Sequence, residues 1–150
     1  MNQIIIFSAE YFIFISALYV FVHMILMRKN KNYLQQIIII FGSAVFAWVI
    51  AHVLKGIVAH PRPGLVNALI VPDSTYSFPS GHATFMSTLA FVTYSFDKRA
   101  GIVVASFAVI TGVARVISGV HYWYDIIGGF VVGALISYMV MLSYKYLFKK

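Results

Sequence analysis

The chain has 150 residues, 61% of them hydrophobic and 10% charged, with a mean hydropathy of +0.89. Soluble domains are closer to half apolar and a quarter charged, so this composition points to a membrane protein and excludes a disordered chain. There is no cysteine, which removes disulfides, thiolate metal sites and a cysteine nucleophile, and the net charge of +7 would suit nucleic acid only if the basic residues formed a stripe.

A membrane-crossing helix needs about 20 mostly apolar residues. Taken in chain order, such stretches run over Gln3–Met27 (with Glu10 its single charge), Leu34–Leu54, Gly81–Phe96, Ala100–Ala114 and Ile126–Tyr144. The expected architecture is all-α: one domain over residues 1–150, a polytopic bundle of about five membrane helices. The long irregular segment His60–Pro79 carries all four prolines to Pro79, and loops of that length inside a compact domain are usually functional or disordered. Met1-Asn2-Gln3 lacks the basic start of a cleaved signal peptide.

The basic residues sort by connector. Arg28, Lys29 and Lys31 follow the first stretch, Lys98 and Arg99 the third, and Lys145, Lys149 and Lys150 the fifth. With five crossings these three places share one face, and the excess of Lys and Arg makes that face cytoplasmic. The N-terminus is then outside and the C-terminus inside. Their role is topology and contact with lipid headgroups, which leaves no nucleic-acid stripe.

Lys55, Arg62 and Arg115 are not explained this way. All three fall at the outer ends of helices or in the outer loop. Charges in or near an apolar slab are costly and are functional candidates by default. A single one of them would read as a snorkelling side chain; three on one face, with His82, His121 and Asp125, do not. Asp125 follows His121 by four positions, so the two share a face if a helix starts nearby. They could be metal ligands or an imidazole oriented by a carboxylate. Three neighbouring cations disfavour a metal ion and favour an anion, and phosphate suits the arginine forks. Pro79-Ser80-Gly81-His82 stands where the outer loop enters a helix. Free N–H groups at a helix start bind anions, Ser80 offers a hydroxyl or a cap, and Gly81 permits close backbone approach.

Among the remaining polar residues, His23 and His52 read as hydrogen-bonding between helices. Asp97 reads as solvated beside Lys98 and Arg99. Asp73, Ser74 and Thr75 read as turn formers, His60 as interfacial, and Tyr122 to Tyr124 as an aromatic belt. Gly129-x3-Gly133 reads as close helix packing in the core.

Together these residues resemble the signature of the type 2 phosphatidic acid phosphatase (PAP2) family, membrane relatives of vanadium haloperoxidases. Lys55, Arg62 and Pro63 match its K-x6-R-P motif, Pro79–His82 its P-S-G-H motif, and Arg115, His121 and Asp125 its S-R-x5-H-x3-D motif. Ala114 stands in place of the serine that opens the third motif, and Trp123 where proline is frequent. The family core has six helices, so this chain resembles a version lacking one N-terminal helix.

The resemblance implies metal-independent hydrolysis of a lipid phosphate or diphosphate at the outer face of the membrane, with no cofactor. His121 would be the nucleophile and form a phosphohistidine. Asp125 would orient it, and His82 would be acid and then base. Lys55, Arg62, Ser80, Gly81 and Arg115 would hold the phosphoryl oxygens. Glu10-Tyr11 is similar to the start of bacitracin-resistance type undecaprenyl-diphosphate phosphatases, while Glu10 alone would read as reaching the interface or pairing with a neighbouring helix. The resemblance favours undecaprenyl diphosphate because outward-facing recycling of that lipid is a common task of small bacterial members. Phosphatidylglycerophosphate, phosphatidic acid and lipid A are alternatives, as are a lipid-phosphate binding or transport protein and, less compatible with a membrane setting, a vanadate-dependent oxidase.

Overall fold

The computed structural model describes residues 2–26, 32–64, 68–72 and 74–148. Arg28, Lys29, Lys31, Asp73, Lys149 and Lys150 lie outside these. The described chain is all-helical: α1 (Asn2–Glu10), α2 (Phe12–Leu26), α3 (Tyr33–Val58), α4 (Gly81–Phe96), α5 (Lys98–Ile117) and α6 (Trp123–Phe148). One isolated bridge, Pro61 to Tyr76, pins the ends of the long connection together.

The first apolar stretch is a bent pair. α1 and α2 meet at Tyr11 with an angle of 49°. Three helices, α3, α5 and α6, are long and apolar enough to cross a membrane, and the bent pair would make a fourth. Their outer faces are apolar: Ile127, Val131, Leu135 and Leu142 on α6 and Ile38, Val45, Val49 and Val53 on α3 are exposed at helical spacing. An exposed apolar face of this extent on every long helix is stable in lipid and not in water, and the protein is an integral membrane protein.

The interior reverses the usual order. α4 packs against α3, α5 and α6 and buries Ser87, Thr84, Thr88 and Thr93 along with Ala83, Met86, Leu89, Ala90 and Val92. Lipid is as apolar as leucine, so helices in a bilayer associate through close van der Waals packing and internal hydrogen bonds. Gly129 and Gly133 of α6 provide the approach. A Cβ on Gly129 would stand 2.8 Å from both Ala83 Cβ and the Ser80 carbonyl; one on Gly133 would overlap Ser87 Oγ and stand 2.8 Å from the Thr84 carbonyl. The hydroxyls of Thr84 and Thr88 bond carbonyls one turn back on α4, at 2.9 and 2.8 Å. The glycine pair therefore serves core packing, as its spacing suggests.

At the end of the bundle away from the long loop, His23 Nε2 of α2 meets Asp97 Oδ2 at 3.1 Å. Asp97, expected to be solvated, keeps 34% of its side chain exposed and in addition caps α5, accepting the Ala100 N–H at 3.0 Å. That N–H, and then His23, hold its carboxyl below the ordinary carboxylate range. His52 also departs from expectation: its Nδ1 bonds Trp48 O of its own helix at 3.0 Å, and its ring lies on the Trp48 ring, so it does not bridge helices.

If the glycine contact sets the spacing of α4 and α6, Gly133→Ala should cost about 1–3 kcal/mol, the usual range for overpacking a tight core. Gly42→Ala, where nothing lies within 4 Å of a new Cβ, should leave the melting temperature in detergent unchanged or raised. Equal melting temperatures for the two variants would refute this account.

Candidate active site

The residues singled out in the sequence come from helix ends and connections that meet at one end of the bundle. α3 ends on Ala59, left-handed at φ 49°, whose N–H bonds the Lys55 carbonyl. This turn sends His60, Pro61 and Arg62 back across the helix end, where Lys55 is already buried.

Both cations are clamped. Arg62 Nε donates to the Ser74 carbonyl at 2.6 Å, Nη2 to Ser74 Oγ at 3.0 Å, and Nη1 to the Val120 carbonyl at 2.6 Å. Lys55 Nζ donates to Ser74 Oγ at 3.3 Å and to the Tyr76 carbonyl at 3.2 Å. Ser74, expected only to form a turn, thus orients two cations. Val120 reaches Arg62 because Gly119, at φ 79°, turns the chain between α5 and α6.

His121 follows that turn and is 2% exposed. Its Nδ1 lies 3.2 Å from Asp125 Oδ2, and its Nε2 lies 3.4 Å from Arg62 Nη1. α6 begins at Trp123, after His121, so the pair does not share a regular helical face. Asp125 instead acts as a capping carboxylate, with Oδ2 also taking the Tyr122 N–H at 2.8 Å. Arg62 is donor-only, so the network sets the tautomer: Nδ1–H to Asp125 and the Nε2 lone pair towards Arg62. Burial drives the His121 pKa down to about 4; Asp125 opposes this, and the charges of Arg115, Arg62 and Lys55 add to it. His121 is neutral at pH 7.

Ser80 caps α4, its Oγ accepting the Ala83 N–H at 3.4 Å, and its own N–H bonds the Asp125 carbonyl at 3.0 Å. A Cβ on Gly81 would stand 3.3 Å from His52 Cε1, so the α4 start fits closely against α3. His82 Nε2 lies 3.4 Å from Arg115 Nη1. Arg115 is 1% exposed, and the same nitrogen reaches the Ala9 carbonyl at 3.4 Å and Glu10 Oε1 at 3.9 Å. The end of α1 therefore joins the site. Ala114 packs with Ala9, Ile70 and Val120 in an apolar cluster, which accounts for the absence of a hydroxyl there. Among the described residues no three His, Cys, Asp or Glu side chains converge as a metal cage would need.

Sequence reasoning missed Ser77. It is fully buried, and its Oγ lies 3.3 Å from Asp125 Oδ1 and 3.1 Å from His60 Nδ1. Nothing in its sequence context distinguishes it from a loop serine. A groove of about 450 Å³ between α2, α3 and α4 opens beside His82 and is lined by Ile13, Phe14, Ala17, Val45, Trp48 and Phe85.

The PAP2 superfamily model matches residues 36–149. The chain is 33% identical over 148 residues to the bacitracin transport permease protein BcrC of Bacillus licheniformis, covering 93% of this chain and 70% of that one. It is 25% identical to the undecaprenyl-diphosphatase BcrC of Bacillus subtilis, covering 93% and 72%. The crystal structure of a transmembrane PAP2 type phosphatidylglycerolphosphate phosphatase from Bacillus subtilis superposes with a TM-score of 0.69 at 25% identity, covering 97% of this chain and 77% of that one.

The depressed pKa of His121 has a thermodynamic consequence. Between about pH 4 and the ordinary value of 6.5 the unfolded chain binds the extra proton and the folded chain does not. Stability should therefore rise with pH through that window and level off above it. Melting temperatures across it should climb for the wild type and climb less for His121→Gln. The same slope in both proteins would place the titration elsewhere.

Proposed function

This chain belongs to the PAP2 superfamily, and we propose that it is a lipid phosphatase acting through a phosphohistidine, with undecaprenyl diphosphate as its substrate. The observation that carries the reading is His121: a buried, neutral imidazole with Nδ1 on a fully buried carboxylate and Nε2 turned to an arginine. Anion binding alone needs the cations and not an oriented lone pair among them.

In the proposed reaction, Lys55, Arg62 and Arg115, with Ser80 and the Gly81 backbone, bind the terminal phosphoryl oxygens. Such fixed charges stabilise the transition state most where water is excluded. His121 Nε2 attacks phosphorus as the P–O bond to the leaving group breaks, and Asp125 holds the resulting positive ring. His82 gives its proton to the leaving lipid phosphate. A water molecule then attacks the phosphohistidine, His82 takes the water's proton, and the P–N bond breaks to release inorganic phosphate. In the free protein Arg115 faces His82 Nε2, so both side chains stand together where the leaving group would depart.

The groove beside His82 supports a lipid substrate, since an alkyl or isoprenoid chain can lie in it with the headgroup at the cations. We read α4 as a fifth crossing, short because helices surround it, and the bent pair α1–α2 as one crossing, so that the chain forms one domain of five spans. The site then faces outside, opposite the basic connectors, with the N-terminus outside and the C-terminus cytoplasmic. The relatives support undecaprenyl diphosphate first and phosphatidylglycerophosphate second. The name of the Bacillus licheniformis relative, a bacitracin transport permease protein, favours a second reading, transport without hydrolysis, which predicts lipid-phosphate binding without phosphate release.

Phosphate release from undecaprenyl diphosphate in detergent should persist in EDTA and disappear in His121→Ala. Its kcat/KM should be bell-shaped in pH, rising through the low pKa of His121 and falling as His82 loses its proton. Turnover in the His121→Ala protein would end the nucleophile assignment. Filling the groove with Ala17→Trp should raise KM for the long-chain diphosphate and leave KM for a short soluble phosphate ester unchanged. An equal rise for both would mean that the groove does not hold the chain.

A further inference from the structure

The pair His121–Asp125 is not the end of the hydrogen-bond network. Behind it lie Ser77, His60 and Tyr124. Ser77 Oγ is 3.3 Å from Asp125 Oδ1 and 3.1 Å from His60 Nδ1, and His60 Nε2 is 3.2 Å from Tyr124 Oη. The His60 ring is held edge-on against Tyr122 and Tyr124, whose own rings stack at 5.0 Å.

We propose that Tyr124, His60 and Ser77 form an outer relay of positioning residues that fixes the Asp125 carboxylate, and through it the His121 ring, for attack. The inference rests on the reading of His121 as nucleophile. Ser77 has one hydroxyl proton and several acceptors in reach: Asp125 Oδ1, His60 Nδ1, and the carbonyls of Pro61 at 3.2 Å and His60 at 3.4 Å. Which acceptor it serves depends on the His60 tautomer. If Nδ1 lacks a proton, the hydroxyl turns to it and Asp125 Oδ1 loses this donor. If Nδ1 carries the proton, it donates to Ser77 Oγ, and the hydroxyl is released towards Asp125.

Tyr124 selects the second arrangement. Its hydroxyl can donate to His60 Nε2, which leaves the ring proton on Nδ1. Every donor then points the same way: Tyr124 to His60, His60 to Ser77, Ser77 to Asp125 Oδ1. Oδ2 is left to the Tyr122 N–H and His121. A carboxylate held at both oxygens cannot swing, so the ring bonded to it keeps its Nε2 on one line. Buried networks of this kind are stiff when every member is satisfied and fail when one is removed.

The test uses the full chain in detergent with undecaprenyl diphosphate as substrate and inorganic phosphate as competitive inhibitor. Ser77→Ala should lower kcat by about 10- to 100-fold, the range seen when a residue supporting an active-site ligand is removed. Inhibition by phosphate should be unchanged, because the cations that bind it are untouched. His60→Asn keeps an N–H near the place of Nδ1–H and should retain more turnover than His60→Ala. Wild-type kcat in Ser77→Ala, or parallel loss of kcat and phosphate inhibition, would overturn the relay. If Ser77→Ala fails to fold, the His60 variants decide: equal kcat for Asn and Ala overturns it. His121→Ala is assayed alongside. Activity there sinks the nucleophile reading and the relay together, whereas an inactive His121→Ala with a fully active Ser77→Ala sinks the relay alone.

Discussion

The site depends on one buried carboxylate. Asp125 accepts from Tyr122 N–H and His121 through Oδ2, from Ser77 through Oδ1, and from the Ser80 N–H through its backbone carbonyl. It therefore joins the start of α6, the turn before it, the long loop and the start of α4. A charge with no exposed surface is tolerated only when its acceptor sites are filled, and here the donors come from the turn before α6 and from the long loop. The requirement to satisfy Asp125 and the requirement to assemble the site are the same requirement.

The backbone carbonyl of Asp125 can reach the Ser80 N–H only because α6 lies very close to α4. The approach comes from Gly129 and Gly133, against which Ala83, Ser87 and the Ser80 and Thr84 carbonyls pack without a Cβ between them. In a bilayer there is little hydrophobic drive to bring helices together, so small residues and hydroxyl-to-carbonyl bonds take over that task. The low hydropathy of α4 follows. Apart from the exposed Ser95, its serines and threonines are buried among α3, α5 and α6, and a helix so surrounded needs only a narrow apolar face towards lipid.

This explains which parts were legible in the sequence. The boundaries of α4 could be read because Ser80 and Asp97 are capping residues at either end of an uncharged run, and Lys55, Arg62 and Arg115 stood out because no connector rule accounted for them. The bend at Tyr11 was not legible: no glycine or proline marks it, and both of its arms pack on α5. For Asp97 the partly solvated end beside Lys98 and Arg99 was legible and the contact from His23 was not, because it depends on α2 lying alongside. Ser77 and His60 carry no signal at all. Their importance arises only when a loop of irregular backbone folds beneath Asp125, and hydrogen-bond direction cannot be read from spacing.

The clamping of the cations has a further implication for how the site does chemistry. Arg62 spends its Nε, Nη1 and Nη2 on Ser74 and Val120, and Lys55 is turned to Ser74 and Tyr76. Carbonyl and hydroxyl oxygens are dipoles without net charge; these hold the cations in position and compensate part of their lost hydration. The charges of Arg115, Arg62 and Lys55 help to keep His121 neutral, so in the proposed reaction the groups that receive a phosphoryl anion also preserve the lone pair. The two demands, a cationic cup and an unprotonated imidazole, reinforce each other, and the one carboxylate bonded to His121 sits behind the ring on Nδ1, where it fixes the tautomer while Nε2 faces the cations.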